Sequence, residues 1–325
     1  MRVALCREVL TEQGFWRDLD RIINRIDRGA HEWEVDDPDG IEESAWLREG
    51  RSYLRELFAK ASTRGIWGHS NMHKRCVTVT ANPDTQNPWA LTPPAAANFL
   101  DQPLVILLEN EFTDTIFLKT VLHVLGPKEL LDYCHGVPDA IHCKGVGGIG
   151  EIPKHVKKHV QKSRQAGVPL RVIVLADSDG TVPGEVSKNA KKVQDICVTH
   201  NIPCCLLKKR AIENYMPDII FRQWSSEPTQ TNVRPRAEAL LRLTPAQRDH
   251  FNIKKGLSKL PEEKEKQKEL YISLAPQDRT ILENGFGEVI HLFETYRHIL
   301  SKQDMSDRVG DEELTQLVHM IIDEV

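Results

Sequence analysis

The sequence predicts an α/β fold built around a parallel sheet. Residues 104–108 and, apart from Arg171, residues 170–176 are apolar runs, typical of strands that are buried on both faces of a sheet. Segments with helical spacing alternate with these runs, as in parallel α/β units. At 325 residues the chain is long enough for two or three domains. We expect a central sheet domain over 101–222, an N-terminal mixed α/β region over 1–100 and a C-terminal helical region over 237–325.

Residues 1–100 carry the weaker signals. Apolar residues from Phe15 to Ile26 recur every three or four positions, which predicts an amphipathic helix. Pro38 and Gly40 interrupt an acidic stretch and favour a loop there. The predicted elements are, in order, a helix over 15–26, a loop over 32–43, a helix over 42–61, a strand over 77–80 and an irregular connection over 82–94.

From residue 101 onward, strand and helix patterns alternate. Gly126 and Pro127 end the first helix of this part, and Pro153 begins the second. The predicted elements are a strand over 104–108, a helix over 113–125, a strand over 140–143 followed by a glycine-rich turn, a helix over 153–165, a strand over 170–176, a helix over 187–200 and a strand over 203–207. Residues 223–236 are typical of a linker, and the chain beyond them is polar and helical.

Acidic residues follow two of the predicted strands directly. Glu109 ends the first strand, with Glu111 and Asp114 just behind it, and Asp177 and Asp179 end the run over 170–176. The carboxyl ends of parallel strands meet at one edge of the sheet, where ligands bind. Carboxylates brought together repel one another unless a cation lies between them, and hard oxygen ligands favour Mg²⁺ or Mn²⁺. The sequence therefore predicts a divalent-metal site at this edge.

Basic residues surround the predicted acidic edge. Lys208, Lys209 and Arg210 follow the last strand and precede Glu213, so they could neutralise a phosphate or the charge that develops in phosphoryl transfer. The predicted helix over 153–165 carries five further basic residues as candidates for nucleic-acid binding: Lys154, Lys157, Lys158, Lys162 and Arg164.

The net charge of −4 alone would argue against a nucleic-acid partner, but it averages over a strong asymmetry. Residues 101–143 contain 2 basic and 7 acidic residues, whereas residues 144–210 contain 13 basic and 5 acidic residues. Basic residues concentrated beside an acidic pocket are what a phosphodiester substrate requires. We therefore expect DNA or RNA as the substrate.

Four features occur together in one order: a strand ending in Glu109, a glycine-rich turn after the next strand, the run Asp177-Ser178-Asp179, and the run Arg210-Ala211-Ile212-Glu213-Asn214-Tyr215. This combination resembles the TOPRIM domain, in the version found in OLD-family nucleases and related bacterial antiphage effectors. The resemblance covers about 101–220 and implies a metal-dependent endonuclease.

The resemblance also implies residue roles. Glu109, Asp177 and Asp179 would bind the metal, with Glu213 orienting water or a ligand, and either Lys208 or Lys209 would match the catalytic lysine of OLD-like members. Two departures stand out. The Glu-Gly turn of the family is here Glu109-Asn110-Glu111, which leaves Glu109 or Glu111 as the ligand and the part of Asp114 open. The ATPase motif Gly-x-x-x-x-Gly-Lys-Ser/Thr of the OLD proteins does not occur in this sequence.

Two other functions are compatible with parts of the sequence. Asp177 and Asp179 also match the nucleophile motif of haloacid-dehalogenase-like phosphatases, although the chain after residue 207 shows no further strand pattern. The altered Glu109 turn also allows a non-catalytic module that binds nucleic acid or a partner protein.

The setting expected for the protein is the cytoplasm. The longest apolar runs are far shorter than a membrane span. The apolar stretch within the first ten residues is too short for a signal peptide. Seven scattered cysteines are unlike a disulfide framework and favour a reducing compartment. Likeness to antiphage effectors adds a possible regulatory or sensor protein as a partner; the oligomeric state is left open.

Overall fold

The chain forms two separate four-stranded sheets in which all neighbouring strands are parallel. The computed structural model describes residues 1–50, 52–66, 75–128, 130, 140–258, 265–310 and 312–325. The first sheet has the order β2-β1-β3-β4 and the second the order β6-β5-β7-β8. The strands are β1 (Arg2–Leu5), β2 (Glu32–Glu34), β3 (Cys76–Val79), β4 (Ala90–Leu91), β5 (Leu104–Leu108), β6 (Ile141–Gly145), β7 (Val172–Ala176) and β8 (Cys204–Leu206). The predicted α/β class with a parallel sheet flanked by helices is confirmed.

Helices follow or cover every strand of both sheets. Before residue 210 they are α1 (Arg7–Thr11), α2 (Trp16–Asp27), α3 (Pro38–Glu42), α4 (Ala45–Glu49), α5 (Ser52–Ile66), α6 (Pro93–Leu100), α7 (Glu111–Leu125), α8 (Ile152–Ala166) and α9 (Lys188–Thr199). After it they are α10 (Asp218–Ser226), α11 (Arg234–Leu241), α12 (Pro245–His250), α13 (Glu265–Leu270), α14 (Pro276–Ile281), α15 (His291–Thr295), α16 (Lys302–Val309) and α17 (Glu313–Glu324). Short 3₁₀ turns lie at Gln13–Phe15, Ile149–Glu151, Ile212–Tyr215 and Arg297–Ile299.

The second sheet is the middle layer of three. One face packs on α8 and α9, where Leu107 and Val174 contact a cluster that includes Val156 and Val193. The opposite face packs on α7 and on helices from the C-terminal part of the chain. Because β5 and β7 are covered on both faces, every second residue points into a different apolar layer, which explains their continuous apolar runs.

The C-terminal region shares a core with the second sheet. Phe117 of α7 packs edge-on against Phe293 of α15, with 5.7 Å between ring centroids, and at 5.6 Å against Tyr215. Leu317 of α17 lies in the same buried cluster. The segment 223–236, interpreted above as a linker, contains the end of α10 and the start of α11, and Val233 within it is buried in this core.

The N-terminal region differs from the sequence expectation in three places. The connection expected to be irregular over 82–94 contains β4 and the start of α6. The single helix expected over 42–61 is wrong: the chain forms α3, α4 and α5 instead. Ser44 begins α4 by accepting a hydrogen bond from Leu47 N at 3.2 Å, and Gly50 follows its last residue. The loop expected over 32–43 contains β2 and α3, because Trp33 is buried in the first core and Asp37 caps α3. The helix predicted over 15–26 is confirmed as α2.

The end of α17 links the two sheets. Arg171, which is buried at the start of β7, donates to Gln102 O at 2.5 Å and to Glu324 O at 3.2 Å. Arg75, just before β3, forms an ion pair with Glu324 at 2.8 Å. Within the described residues, no helix is both long enough and apolar enough to cross a membrane.

Candidate active site

Glu109 and Asp177 meet at the carboxyl edge of the second sheet. They follow β5 and β7, which pair directly, with Leu107 opposite Val174. Asp177 N donates a hydrogen bond to Glu109 Oε1 at 3.1 Å. The neighbouring order of β5 and β7 therefore places in contact two acids that are 68 positions apart.

The first turn of α7 fixes the backbone around Glu109. Asn110 caps the helix by accepting from Phe112 N and Thr113 N. The buried carboxylate of Asp114 accepts from Glu109 N and Asn110 N, each at 3.0 Å. The turn after Glu109 has no glycine, and these hydrogen bonds to Asp114 hold its backbone in place instead. Asp114 also lines the cleft.

Glu111 points to the other side of the strand. Its Oε2 accepts from Gly145 N at 3.3 Å, at the end of β6, and it does not line the cleft beside Glu109. A Cβ at position 145 would lie 2.3 Å from Glu111 N, so only glycine allows this close approach. Between the two candidates that the sequence left open, the geometry favours Glu109.

The glycine-rich turn after β6 supports Glu109 from the opposite side. Gly147 N and Gly148 N donate to the carbonyl oxygen of Glu109 at 3.1 and 3.0 Å. Both glycines have positive φ angles, +86° and +117°, which other residues rarely adopt. The turn therefore holds the strand end rigidly in place.

Asp179 occupies a strained position at the mouth of the cleft. It is exposed and has a φ of +51°, and its N–H donates to Arg210 O at 3.0 Å. Ser178, which is buried, donates to Lys209 O at 2.7 Å. These bonds tie the loop after β7 to the loop after β8, so the Asp-x-Asp run and Arg210 share one wall.

A cleft of about 580 Å³ opens at this edge of the sheet. Its acidic part contains Glu109, Asp114, Asp177, Asp179 and Glu213. Its basic part contains Arg210, Lys254 and Lys255. Every acid predicted from the sequence except Glu111 therefore lines one cavity.

Glu213 faces this cleft from the 3₁₀ turn Ile212–Tyr215. It is only 3% exposed, and Lys254 Nζ lies 3.1 Å from its Oε1. The same ammonium lies 3.1 Å from Glu288 Oε2, whose side chain is 68% exposed. Lys254 thus bridges a buried and an exposed carboxylate across the cleft.

Four carboxyl groups of the cleft, those of Glu109, Asp114, Asp177 and Asp179, have raised pKa values. Burial raises the pKa of Glu109 to about 7, and the carboxylates of Asp179 and Asp114 add to the effect. Burial and the carboxylates of Glu109 and Glu213 raise the pKa of Asp177 well above its usual range. Burial also raises the pKa of Asp179, which Arg210 opposes. Negative charge is therefore costly in this cleft without a cation to balance it.

The oxygen atoms of the cleft suit a hard divalent cation. Asp177 Oδ1 is buried and has no hydrogen-bond partner. The acidic side chains around it offer carboxylate oxygens, which are the ligands that Mg²⁺ and Mn²⁺ prefer. In the part of the chain that the structure describes, no three acidic, histidine or cysteine side chains are already drawn together as a complete ligand set. Glu109, Asp177 and Asp179 are the residues whose chemistry fits such an ion.

The two candidate lysines lie outside the cleft. Lys209 is buried and its Nζ forms an ion pair with Asp249 at 2.6 Å, while Arg308 contacts the same carboxylate oxygen at 2.6 Å. Lys208 is exposed, and its backbone N–H donates to Glu313 at 2.7 Å. The structure gives Lys209 a partner of its own, away from the acidic edge.

The basic residues of α8 lie on its exposed face. None of them lines the cleft, and Lys154 forms an ion pair with Glu151 at 2.7 Å. Lys144 of β6 and the helix residues Lys158 and Lys162 surround His159, and burial followed by these positive charges lowers the pKa of His159 to about 4. The helix therefore presents a continuous positive surface: Lys154, Lys157, Lys158, Lys162 and Arg164.

Sequence reasoning missed Lys254 and Lys255. They lie far along the chain in a polar stretch with no strand, glycine turn or motif to mark them. Backbone hydrogen bonds hold this segment at the cleft: Phe286 N donates to Ile253 O at 2.7 Å, and Gly287 N donates to Lys254 O at 3.1 Å. Only this packing between residues 251–258 and 283–288 reveals them.

No family model, curated protein or solved structure matches this chain. The resemblance to the TOPRIM domain is therefore carried by the residues named above alone.

Proposed function

We propose that this protein is a Mg²⁺- or Mn²⁺-dependent nuclease that cleaves phosphodiester bonds in DNA or RNA. The observation that carries the proposal is the gathering of Glu109, Asp177, Asp179 and Glu213 in one cleft whose other wall is basic. Burial, together with the neighbouring carboxylates, raises the pKa of Glu109 to about 7, and a bound divalent cation would offset this cost of negative charge.

Each group of the cleft has a role in this chemistry. Glu109, Asp177 and Asp179 would hold the cation, which when bound activates water and stabilises the charge of the in-line transition state. Arg210, Lys254 and Lys255 would bind the phosphate oxygens. Lys254 would exchange its contact with the exposed Glu288 for one with the phosphate and keep its contact with buried Glu213. It would thereby take the part that the resemblance gave to Lys208 or Lys209.

The positive surface of α8 supports a polymeric substrate. Its charges lie beyond the cleft and would contact phosphates that flank the scissile one. Resemblance to OLD-like effectors extends the proposal to a bacterial antiphage role in the cytoplasm, with activity restrained by a regulatory partner until infection.

The phosphatase alternative fits the geometry less well. An aspartate nucleophile must be accessible to the phosphate, but Asp177 Oδ1 is buried. After β8, all the regular elements that the structure describes are helices.

The test compares wild-type protein with Asp177→Asn, which preserves the size of the side chain. Both proteins would be incubated with plasmid, linear DNA and RNA, in Mg²⁺, Mn²⁺ or EDTA, and with a small phosphomonoester. Cleavage of polymer by the wild type in metal alone, absent from the variant, is the expected result.

Two outcomes would contradict the proposal. Hydrolysis of the phosphomonoester without cleavage of polymer would establish the phosphatase. Nucleic-acid binding without cleavage in any metal would establish a non-catalytic binding module.

A further inference from the structure

The first turn of α7 exposes an aromatic ring beside the cleft. The side chain of Phe112 is 71% exposed, and no other aromatic side chain in the described part of the chain is exposed. Phe99, Phe117, Phe221, Phe251 and Phe293 are all fully buried. Burying a phenylalanine is worth about 1.5–3 kcal/mol, so folding alone gives no reason for an exposed one at this place.

The position of Phe112 is fixed. Its N–H donates to the capping side chain of Asn110 at 2.9 Å, and Asp114, two residues later, is buried in hydrogen bonds with the strand end. These bonds fix the backbone at Phe112, so the exposed ring starts from a defined place at the edge of the carboxylate cleft.

Phe112 separates two cavities. On one side is the cleft that contains Glu109 and Asp177. On the other is a second groove of about 510 Å³, which includes Lys119, His142 and Arg297. We call it the side groove. Phe112 lines both, so its ring lies where the two cavities adjoin.

The charges on the two sides suit a nucleic-acid strand. The side groove contains Lys119 and Arg297 as donors to phosphates, together with the carboxylates of Glu111 and Glu294. In the cleft, Arg210, Lys254 and Lys255 offer such donors beside the proposed metal ligands. A ring between two such groups of cations is the arrangement by which single-stranded nucleic acid is bound, since bases stack on the ring while phosphates contact the cations. A base inside a duplex has both faces covered by its neighbours and cannot stack in this way.

We infer that Phe112 is a stacking platform for one base of a single-stranded segment, which runs from the side groove into the cleft. The substrate is then single-stranded DNA or RNA, or an unpaired segment of a duplex. The placement of the scissile phosphate rests on the proposed nuclease function, whereas the stacking contact does not.

Binding experiments on the full chain test the inference. Fluorescence anisotropy of labelled 12-nucleotide single strands, of DNA and of RNA, and of a matched hairpin duplex would be measured in Mg²⁺ on the Asp177→Asn background. The variants are Phe112→Ala, Phe112→Leu and Phe112→Trp. Ile272→Ala, which removes another large apolar side chain, 77% exposed, is the control.

Removal of the ring should weaken single-strand binding about tenfold in both the alanine and the leucine variant. Duplex binding should change less than about twofold, Phe112→Trp should restore single-strand binding, and the control should behave as the wild type. Binding should also quench the fluorescence that the new tryptophan adds.

Three results would overturn the inference. They are unchanged single-strand binding by Phe112→Leu, equal losses for single strand and duplex, and no single-strand binding by the protein that carries Asp177→Asn alone. Failure of the nuclease proposal is distinguishable from failure of this inference. If the wild type shows no cleavage of any substrate, and Phe112→Leu still loses single-strand binding selectively, the stacking site is present without the catalysis.

Discussion

The two sheets of this protein share one strand order but differ at their carboxyl edges. In β2-β1-β3-β4 and in β6-β5-β7-β8, the first and third strands along the chain pair at the centre. The residues directly after those strands are Cys6 and Thr80 in the first sheet, and Glu109 and Asp177 in the second. Thr80 Oγ1 donates to Glu8 Oε1 at 2.6 Å, so the polar groups of the first edge satisfy one another.

The second edge lacks such internal compensation. Asp177 Oδ1 is buried without a partner, and the pKa values of Glu109, Asp114, Asp177 and Asp179 are all raised. An identical strand order therefore does not make a site; the side chains at the strand ends do. The proposed cation would offset this cost of gathering carboxylates at the second edge.

The largest effect should come from Glu109→Gln. The change removes one charge and keeps the shape, so we expect cleavage to fall by about a thousandfold or more while the protein remains folded. Cys6→Ala, at the equivalent place in the first sheet, should leave cleavage unchanged. Rates on a labelled oligonucleotide, with circular dichroism to verify folding, measure both. Near-normal activity of Glu109→Gln would remove the distinction between the two edges.

The second comparison concerns the ion pairs that support each region. Asp249→Ala leaves Lys209 and Arg308 without their shared carboxylate; their side chains are 8% and 6% exposed. We expect the free energy of unfolding to fall by about 3 kcal/mol. Asp101, which pairs with Arg21 and Arg25 in the N-terminal region, is 33% exposed, and Asp101→Ala should cost about 1 kcal/mol. Urea unfolding measures both; equal losses would contradict the expectation.

A smaller effect on cleavage is expected from removing Lys254, the basic side chain that the C-terminal region contributes to the cleft. Lys254→Ala should lower cleavage about tenfold, because one phosphate contact is lost, and Lys254→Arg should recover part of it. Lys266→Ala, an exposed lysine of α13, is the matched control. If Lys209→Met, but not Lys254→Ala, lowered activity in proteins of equal stability, the original assignment from the sequence would be correct.

The smallest effect is a shift in thermal stability with pH. Because burial and neighbouring carboxylates raise the pKa of Glu109 to about 7, the unfolded chain loses this proton at lower pH than the folded one. Stability from this group is complete below about pH 4.5 and is lost as the pH rises through about 7. Between pH 5 and pH 8 without metal, Tm should therefore fall by a few degrees, roughly what 1–2 kcal/mol gives in a chain of this size.

Mg²⁺ should reverse this loss in the wild type and not in Asp177→Asn. Every tryptophan except Trp224 precedes residue 100, so tryptophan fluorescence reports mainly on the first sheet and circular dichroism on the whole chain. A metal effect seen equally by fluorescence in Asp177→Asn would locate the ion elsewhere.

Local signals in the sequence were sufficient for most of the second sheet. The strands β5 and β7, the start of the helix at Ser187 and the acids at the strand ends follow from short runs of residues. The helix expected from Thr113 begins two residues earlier, at Glu111, because Asn110 caps it. The first sheet was harder to predict: β1 and β2 are only four and three residues long and contain charged residues, so their burial depends on partners far along the chain.

The sequence by itself determined the strands of the second sheet, their acidic ends and the excess of basic residues over 144–210. The tertiary structure alone decided which side chains share the cleft. It turned Lys209 into a buried pair with Asp249 and brought Lys254 to Glu213, both through contacts with residues beyond 245. Strand formation depends on neighbours along the chain, whereas the direction of a long charged side chain depends on which opposite charge the packed fold places within reach.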